Sequence, residues 1–238
     1  MDDSLLSEEI KAWYKRNFEK PVKEITRELI VSASKNDLDK TIGTLWGIFV
    51  RNSCSLFQIM LMKNFTNQVA MTSRLIMEYS ADLKFISKYP QNIKDFKERK
   101  DNFLANDDRD VFSYYDLSKI ACELELHKYD KKGEKKGFLS TRSRIEYAFK
   151  DKKAMDFYDF LNCYSHLNYL NIIWDTNTVQ DDQAAFSERM VMLSMYYDCF
   201  VMTVTALGEL SRSSNLLTYD FSSIKKVMHE LVENHSLI

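Results

Sequence analysis

The chain has 238 residues, 45% of them hydrophobic and 29% charged, with a formal net charge of −2. That length is enough to bury a sizeable core in one domain, and the near-neutral charge argues against nonspecific nucleic-acid binding by the molecule as a whole. Five glycines and two prolines stand against eleven methionines, fifteen phenylalanines and thirteen tyrosines. So few turn residues disfavour a many-stranded sheet, and the composition predicts an all-α fold, a multi-helix bundle of long antiparallel helices.

The opening segment, MDDSLLSEEIK, is acidic and has no apolar h-region, so no secretory signal is expected. Residues 4–34 read as helix with Ser4 as a cap, and Pro21 marks a break or second start. This stretch forms an N-terminal helical arm, about residues 1–35, of a single helical domain spanning 1–238. Asn36 and Asp37 offer caps for a long helix to about Lys63, with a stripe of Ile42, Leu45, Trp46, Phe49, Leu56, Phe57, Met60 and Leu61. Gly43 and Gly47, four apart, offer a place for another helix to approach closely.

A third helix is expected from Asn67 to Tyr89, ending before Pro90. On it Met71, Arg74, Leu75, Glu78, Asp82, Phe85, Ile86 and Tyr89 share about a third of the circumference. Three ionisable residues on a partly apolar stripe must be compensated, and Glu78, four residues after Arg74, is the natural partner. The plain interpretation is a partly buried salt bridge that fixes helix register. The functional one is a polar pocket that holds a ligand.

The segment after Pro90 reads as a solvated helix and turn, and a further helix is expected from about Asp110 to Tyr129. KKGEKKG, residues 131–137, is the clearest loop and the centre of a basic loop at about 128–139. Between Lys128 and Lys153 ten basic residues face four acidic ones, and Tyr129, Phe138, Tyr147 and Phe149 are interleaved with them, as in many RNA-binding surfaces. Lys131, Lys132, Lys135 and Lys136 are the binding candidates there, against the alternative of a solvated loop and amphipathic helix. Ala154 to Ser211, by contrast, carries eight acids and one arginine, so any such binding should be local and salt-sensitive.

Ser140 is expected to cap a short helix through Phe149, followed by a helix from about Lys153 to Ile173. Its broad face holds Tyr158, Leu161, Asn162, Ser165, His166, Tyr169 and Ile173. Adjacent helical residues point about 100° apart, so Ser165 and His166 are poorly placed as a nucleophile–base couple. The useful neighbour of His166 is Asn162, one turn back. If this helix packs on the Arg74 helix, Arg74, Glu78, Asp82, Asn162, Ser165 and His166 form one polar cluster inside an aromatic wall; otherwise His166 is a hydrogen-bonded core residue.

Met190 to Leu207 approaches membrane-span length but carries Asp198, which favours a buried central helix within a longer one from about Ala184 to Ser211. No membrane association is expected. A terminal helix covers Ser222 to Asn234. Cys54, Cys122, Cys163 and Cys199 are scattered and form no CxxC, consistent with reduced thiols and a cytoplasmic location. HELVENH begins like a zinc-protease helix but has Glu233 where the second histidine belongs, and no Glu-x-x-His pair occurs, so neither a metal nor another cofactor is expected.

The R-x-x-x-E helix of Arg74 and Glu78, paired with the later Y-x-x-L-N-x-Y-S-H stretch from Tyr158 to His166, resembles a group of uncharacterised bacterial all-helical proteins. More distantly, it is similar to the HEPN superfamily of helical nucleotide-binding and RNase domains. The resemblance implies a helical binding protein that contacts RNA or a nucleotide in a stress or phage-defence module. One alternative is a metal-independent RNase using His166 with Arg74 and Glu78. Another is a non-catalytic helical oligomerisation scaffold, and a homo-oligomer is expected. Catalytic members carry an arginine separated from the active histidine by four to six intervening residues. Here those positions before His166 are Asp159, Phe160 and Leu161, which turns the expectation away from catalysis.

Overall fold

The computed structural model describes residues 18–33, 37–60, 66–87, 141–164 and 182–226, together with positions 8, 12, 15 and 229. It is a helical bundle with no strand among the described residues. The elements are α1 (Glu19–Ala33), α2 (Asp37–Met60), α3 (Thr66–Ser87), α4 (Thr141–Phe149), α5 (Lys152–Cys163), α6 (Asp182–Ser211) and α7 (Ser214–Leu217), followed by a helical stretch at 222–226. The expected helices at 91–129, the loop lysines Lys131, Lys132, Lys135 and Lys136, and Cys122 lie outside the described residues.

Pro21 acts as a second start. It sits in the first turn of α1, where a missing N–H costs least, and Lys15 and Phe18 just upstream are in π-type turns. From Phe18 onward the described part of the arm belongs to the core. Phe18, Ile25 and Leu29 are buried, and α1 packs on α2 and α7. Phe18, Phe57, Tyr196 and Phe200 form an aromatic cluster with ring centroids 5.1 to 6.5 Å apart, in tilted and edge-on arrangements that suit aromatic quadrupoles. Trp46 closes one side, its indole N–H donating to Thr26 Oγ1 at 2.8 Å.

Two helices organise the bundle. α6 is the buried central helix that its composition predicts: Met192, Leu193, Tyr196, Cys199, Phe200, Val204 and Leu207 are all covered. Val191–Ser211 is long and apolar enough to cross a membrane, and 61% of its most apolar window is buried inside the bundle. α3 touches α2, α4, α5 and α6. It can do so because Ala70, Ser73, Ser80 and Ala81 are small and fully buried, so neighbouring backbones come close. The Ser80 and Thr203 hydroxyls hydrogen-bond across the α3–α6 seam at 3.0 Å, and Tyr79 donates to the Leu45 carbonyl of α2 at 2.6 Å.

Two expectations change. Met71 and Leu75 do not share the inward face of Arg74; they are 53% and 49% exposed, because α3 turns its remaining circumference to four neighbours. Gly47 has nothing within 4 Å of where a Cβ would stand, so among the described residues no helix uses it for close approach. The close approach is instead at Gly208, where a Cβ would lie 3.1 Å from Leu216 and 3.2 Å from the Leu217 backbone, letting α7 fold over α6. The α6–α7 turn is made by Arg212 in the left-handed region at φ 54°, with the Ser213 N–H returning to the Gly208 carbonyl.

Candidate functional site

The polar residues picked out on α3 lie one turn apart, facing α4 and α5. Arg74 Nε donates to Glu78 Oε1 at 2.8 Å, the i,i+4 pair anticipated from spacing. Glu78 Oε1 also accepts the Tyr158 hydroxyl of α5 at 2.9 Å, and the Arg74 guanidinium lies 5.8 Å from the centroid of the Tyr158 ring. The Arg74 and Tyr158 helices therefore do pack face to face. The Arg74 and Glu78 side chains keep 29% and 24% of their exposure, so the network opens to solvent at one end.

Two arginines that spacing along a single helix did not single out complete the arrangement. Arg144 of α4 is buried and pairs through Nε with Asp82 Oδ1, and its Nη2 lies 3.4 Å from Thr141 Oγ1. Arg142, on the exposed side of α4, pairs with Asp159 of α5. Two Arg–carboxylate pairs thus cross between helices, Arg144–Asp82 from α4 to α3 and Arg142–Asp159 from α4 to α5, while the Arg74–Glu78 pair within α3 is joined to α5 through Tyr158. The local signal for Arg144 was its place in the short helix after the basic loop; nothing in its spacing named Asp82.

The electrostatics follow from burial and pairing. Burial works against the Arg74 charge, but the Glu78 hydrogen bond and charge prevail and hold its pKa above the ordinary value. Burial, then the bond to Glu78, raises the Tyr158 phenol, which stays a neutral donor. Burial also raises the Asp82 carboxyl, with Arg144 pulling against it and Glu78 adding to it. Each arginine in the network faces a carboxylate, so the cluster is charge-balanced. A phosphate arriving at Arg74 would meet a guanidinium whose charge Glu78 already balances.

α5 is shorter than expected. It is capped at Asp151, whose carboxylate accepts the Lys153 N–H, and it ends at Cys163 with Tyr164 as its C-cap. The rest of the expected face, from 165 to 173, lies outside the described residues. Asn162 is half-buried one turn beyond Tyr158. Ser165 and His166 lie outside the described residues, so the cluster is assembled for Arg74, Glu78, Asp82 and Tyr158.

Around the network the described part of the basic stretch is open. Lys150, Lys152 and Lys153 are exposed, and Tyr147 is 37% exposed with its ring edge-on to Phe85. Lys150 adopts φ 52°, the left-handed turn that closes α4. Among the described residues no group of three or more His, Cys, Asp or Glu side chains is placed to hold a metal ion. The chain matches no family model, and no curated protein or solved structure shows significant similarity to it.

Proposed function

We propose that this chain is a HEPN-like helical binding protein that contacts RNA or a nucleotide in a cytoplasmic stress or phage-defence module. The binding surface runs along the basic segment that leads into α4 and α5. The observation that carries this reading is the exposure of Lys150, Lys152 and Lys153, a few positions along the chain from the part-exposed Tyr147. Cations next to an accessible ring give phosphate attraction together with a stacking surface. The Arg74–Glu78–Tyr158 and Arg144–Asp82 pairs serve as the rigid support that holds α4 and α5 in place on α3. The neutralisation of Arg74 by Glu78 weighs against its use on a scissile phosphate.

The test is anisotropy of labelled single-stranded RNA against salt. Replacing Lys150, Lys152 and Lys153 together by alanine takes up to three cations away from the phosphates. The log–log salt slope should then fall by about 0.7 for each phosphate that is no longer neutralised. Neutralising Lys131, Lys132, Lys135 and Lys136 should weaken binding in the same manner. Affinity that ignores salt and survives both sets of substitutions overturns the reading. Cleavage of mixed RNA by the wild type and its loss in His166→Ala would replace it with the RNase alternative.

A further inference from the structure

Charge is spread unevenly over the bundle. Although 29% of the chain is charged, residues 41–77 hold only Arg51, Lys63 and Arg74 and not one acid. Arg74 is already balanced by Glu78. That stretch makes up most of α2 and the first half of α3, and much of it is surface. α2 exposes Thr44, Gly47, Ile48, Arg51, Ser55 and Gln58, while α3 exposes Gln68, Met71 and Leu75. Among these Arg51 is the one charge. The exposed row of α1 shows the ordinary pattern for a solvated helix: Lys20, Lys23, Glu24, Arg27 and Glu28 are all charged.

The two uncharged rows lie side by side. α2 and α3 are joined by residues 61–65, and the Tyr79 hydroxyl reaches the Leu45 carbonyl. Only helices running in opposite directions satisfy both. Parallel helices in that register would leave the ends to be joined roughly 40 Å apart, about twice what the connecting residues can span. The register sets Ile48 of α2 level with Leu75 of α3, and Met71 lies one turn away on the same face as Leu75. Ile48, Leu75 and Met71 therefore form one exposed apolar strip. Beside it, Gly47 leaves an opening that no described neighbour fills, at a mid-helix position where glycine costs helix stability.

The core of a protein interface is depleted in Lys, Glu and Asp and enriched in Met, Arg and large apolar residues. This face has that composition. Its size fits as well: α2 has 24 residues, about 36 Å, and two adjacent helices are about 20 Å across, which gives roughly 700 Å². Each partner in a standard-size interface contributes about 800 Å². A face with a single charge gives a charged partner little to pair with, and its complement is another nearly uncharged face. The chain itself supplies one in a second copy.

We infer that two copies of this chain meet through the outer face of α2 and α3, in a two-fold contact that uses the same face on both. The strip of Ile48, Leu75 and Met71 on each copy rests in the groove between α2 and α3 of the other. Gly47 lets the facing helices come close, and the long Arg51 side chain carries its charge to the rim. The contact does not rest on the RNA reading, whose lysines lie on the turn after α4 and the start of α5.

Analytical ultracentrifugation of the nuclease-treated full chain from about 1 to 200 µM tests this. The sedimentation coefficient should pass from monomer to dimer across that range, a micromolar dissociation constant. Met71→Lys with Leu75→Lys, at positions about half exposed, should raise the dissociation constant at least about tenfold, because cations would be buried against an apolar strip. Gly47→Leu, for which the monomer has room, should do the same without lowering the Tm of the dilute monomer. Alanine at Lys150, Lys152 and Lys153 should leave the constant unchanged. A wild type that stays monomeric at 200 µM overturns the inference, and this readout depends on no variant folding. A dimer indifferent to both sets of substitutions overturns it too. Sedimentation of a monomeric wild type with phosphatidylcholine vesicles would assign the face to a lipid surface instead.

Discussion

Replacing Arg144 by methionine should be among the most damaging single changes in the bundle. Its side chain is 5% exposed and is paired with Asp82, whose side chain is 27% exposed. Removing the cation takes the Arg144 ion pair away from a largely buried carboxylate, a change that typically costs about 3–5 kcal/mol. Because Asp82 keeps some access to water, the low end, about 3 kcal/mol, is expected. In a chain of this size that corresponds to a fall of about 6–12 °C in Tm. Replacing both partners, Arg144→Met with Asp82→Leu, should recover most of the loss, since no charge then remains buried.

The deficit should also depend on pH. Asp82 already has a raised carboxyl pKa, from burial first, with Arg144 opposing. Without Arg144 that opposition disappears and the folded-state pKa rises further. A carboxyl that binds its proton more tightly when folded imposes no penalty below its ordinary pKa and a full one above its folded pKa. The gap between wild type and variant, measured by urea unfolding, should therefore narrow as pH falls from about 7 towards 4. A loss within about 0.5 kcal/mol, the range of ordinary surface changes, would refute the reasoning. So would a gap that is constant with pH, or a double variant no more stable than the single one.

Tyr158→Phe should cost about 1–2 kcal/mol in urea unfolding, because Glu78 loses a hydrogen-bond donor at 2.9 Å while Arg74 remains. Arg212→Gly should stabilise by about 0.5–1 kcal/mol, since Arg212 holds φ 54° where glycine is unstrained; an unchanged or lower Tm would contradict this. Above pH about 10 the protein should lose stability steadily. Burial, with Asp82 contributing, raises the Tyr79 phenol, and burial with Glu24 pushes Tyr219 up to about 12. The unfolded chain thus releases these protons first, and stability falls from the ordinary phenol pKa up to the folded values. Tyr79→Phe should flatten that decline, and identical slopes would sink the attribution.

The Arg74–Glu78 pair was legible before any fold was known because both ends lie on one helix, where a repeat of 3.6 residues places i and i+4 together whatever surrounds them. The same local rule located α2, α3 and α6 and the buried stripe of α2, and the internal charge of the apolar run Met190–Leu207 marked it as a buried central helix. It could not place Met71 and Leu75, since spacing says which residues share a face but not how many neighbours will cover it.

What only the tertiary structure decided were the pairings that span the chain. Asp82 and Arg144 are 62 positions apart, and Glu78 and Tyr158 are 80 apart. Which carboxylate meets which arginine depends on the register in which α4 and α5 settle on α3. That register is set by the small buried residues of α3 and the shapes opposite them, not by any pattern within one helix. Local sequence thus determines helices and pairs within a turn, because backbone geometry alone enforces them. Sites built between helices depend on packing, which is a property of the whole chain.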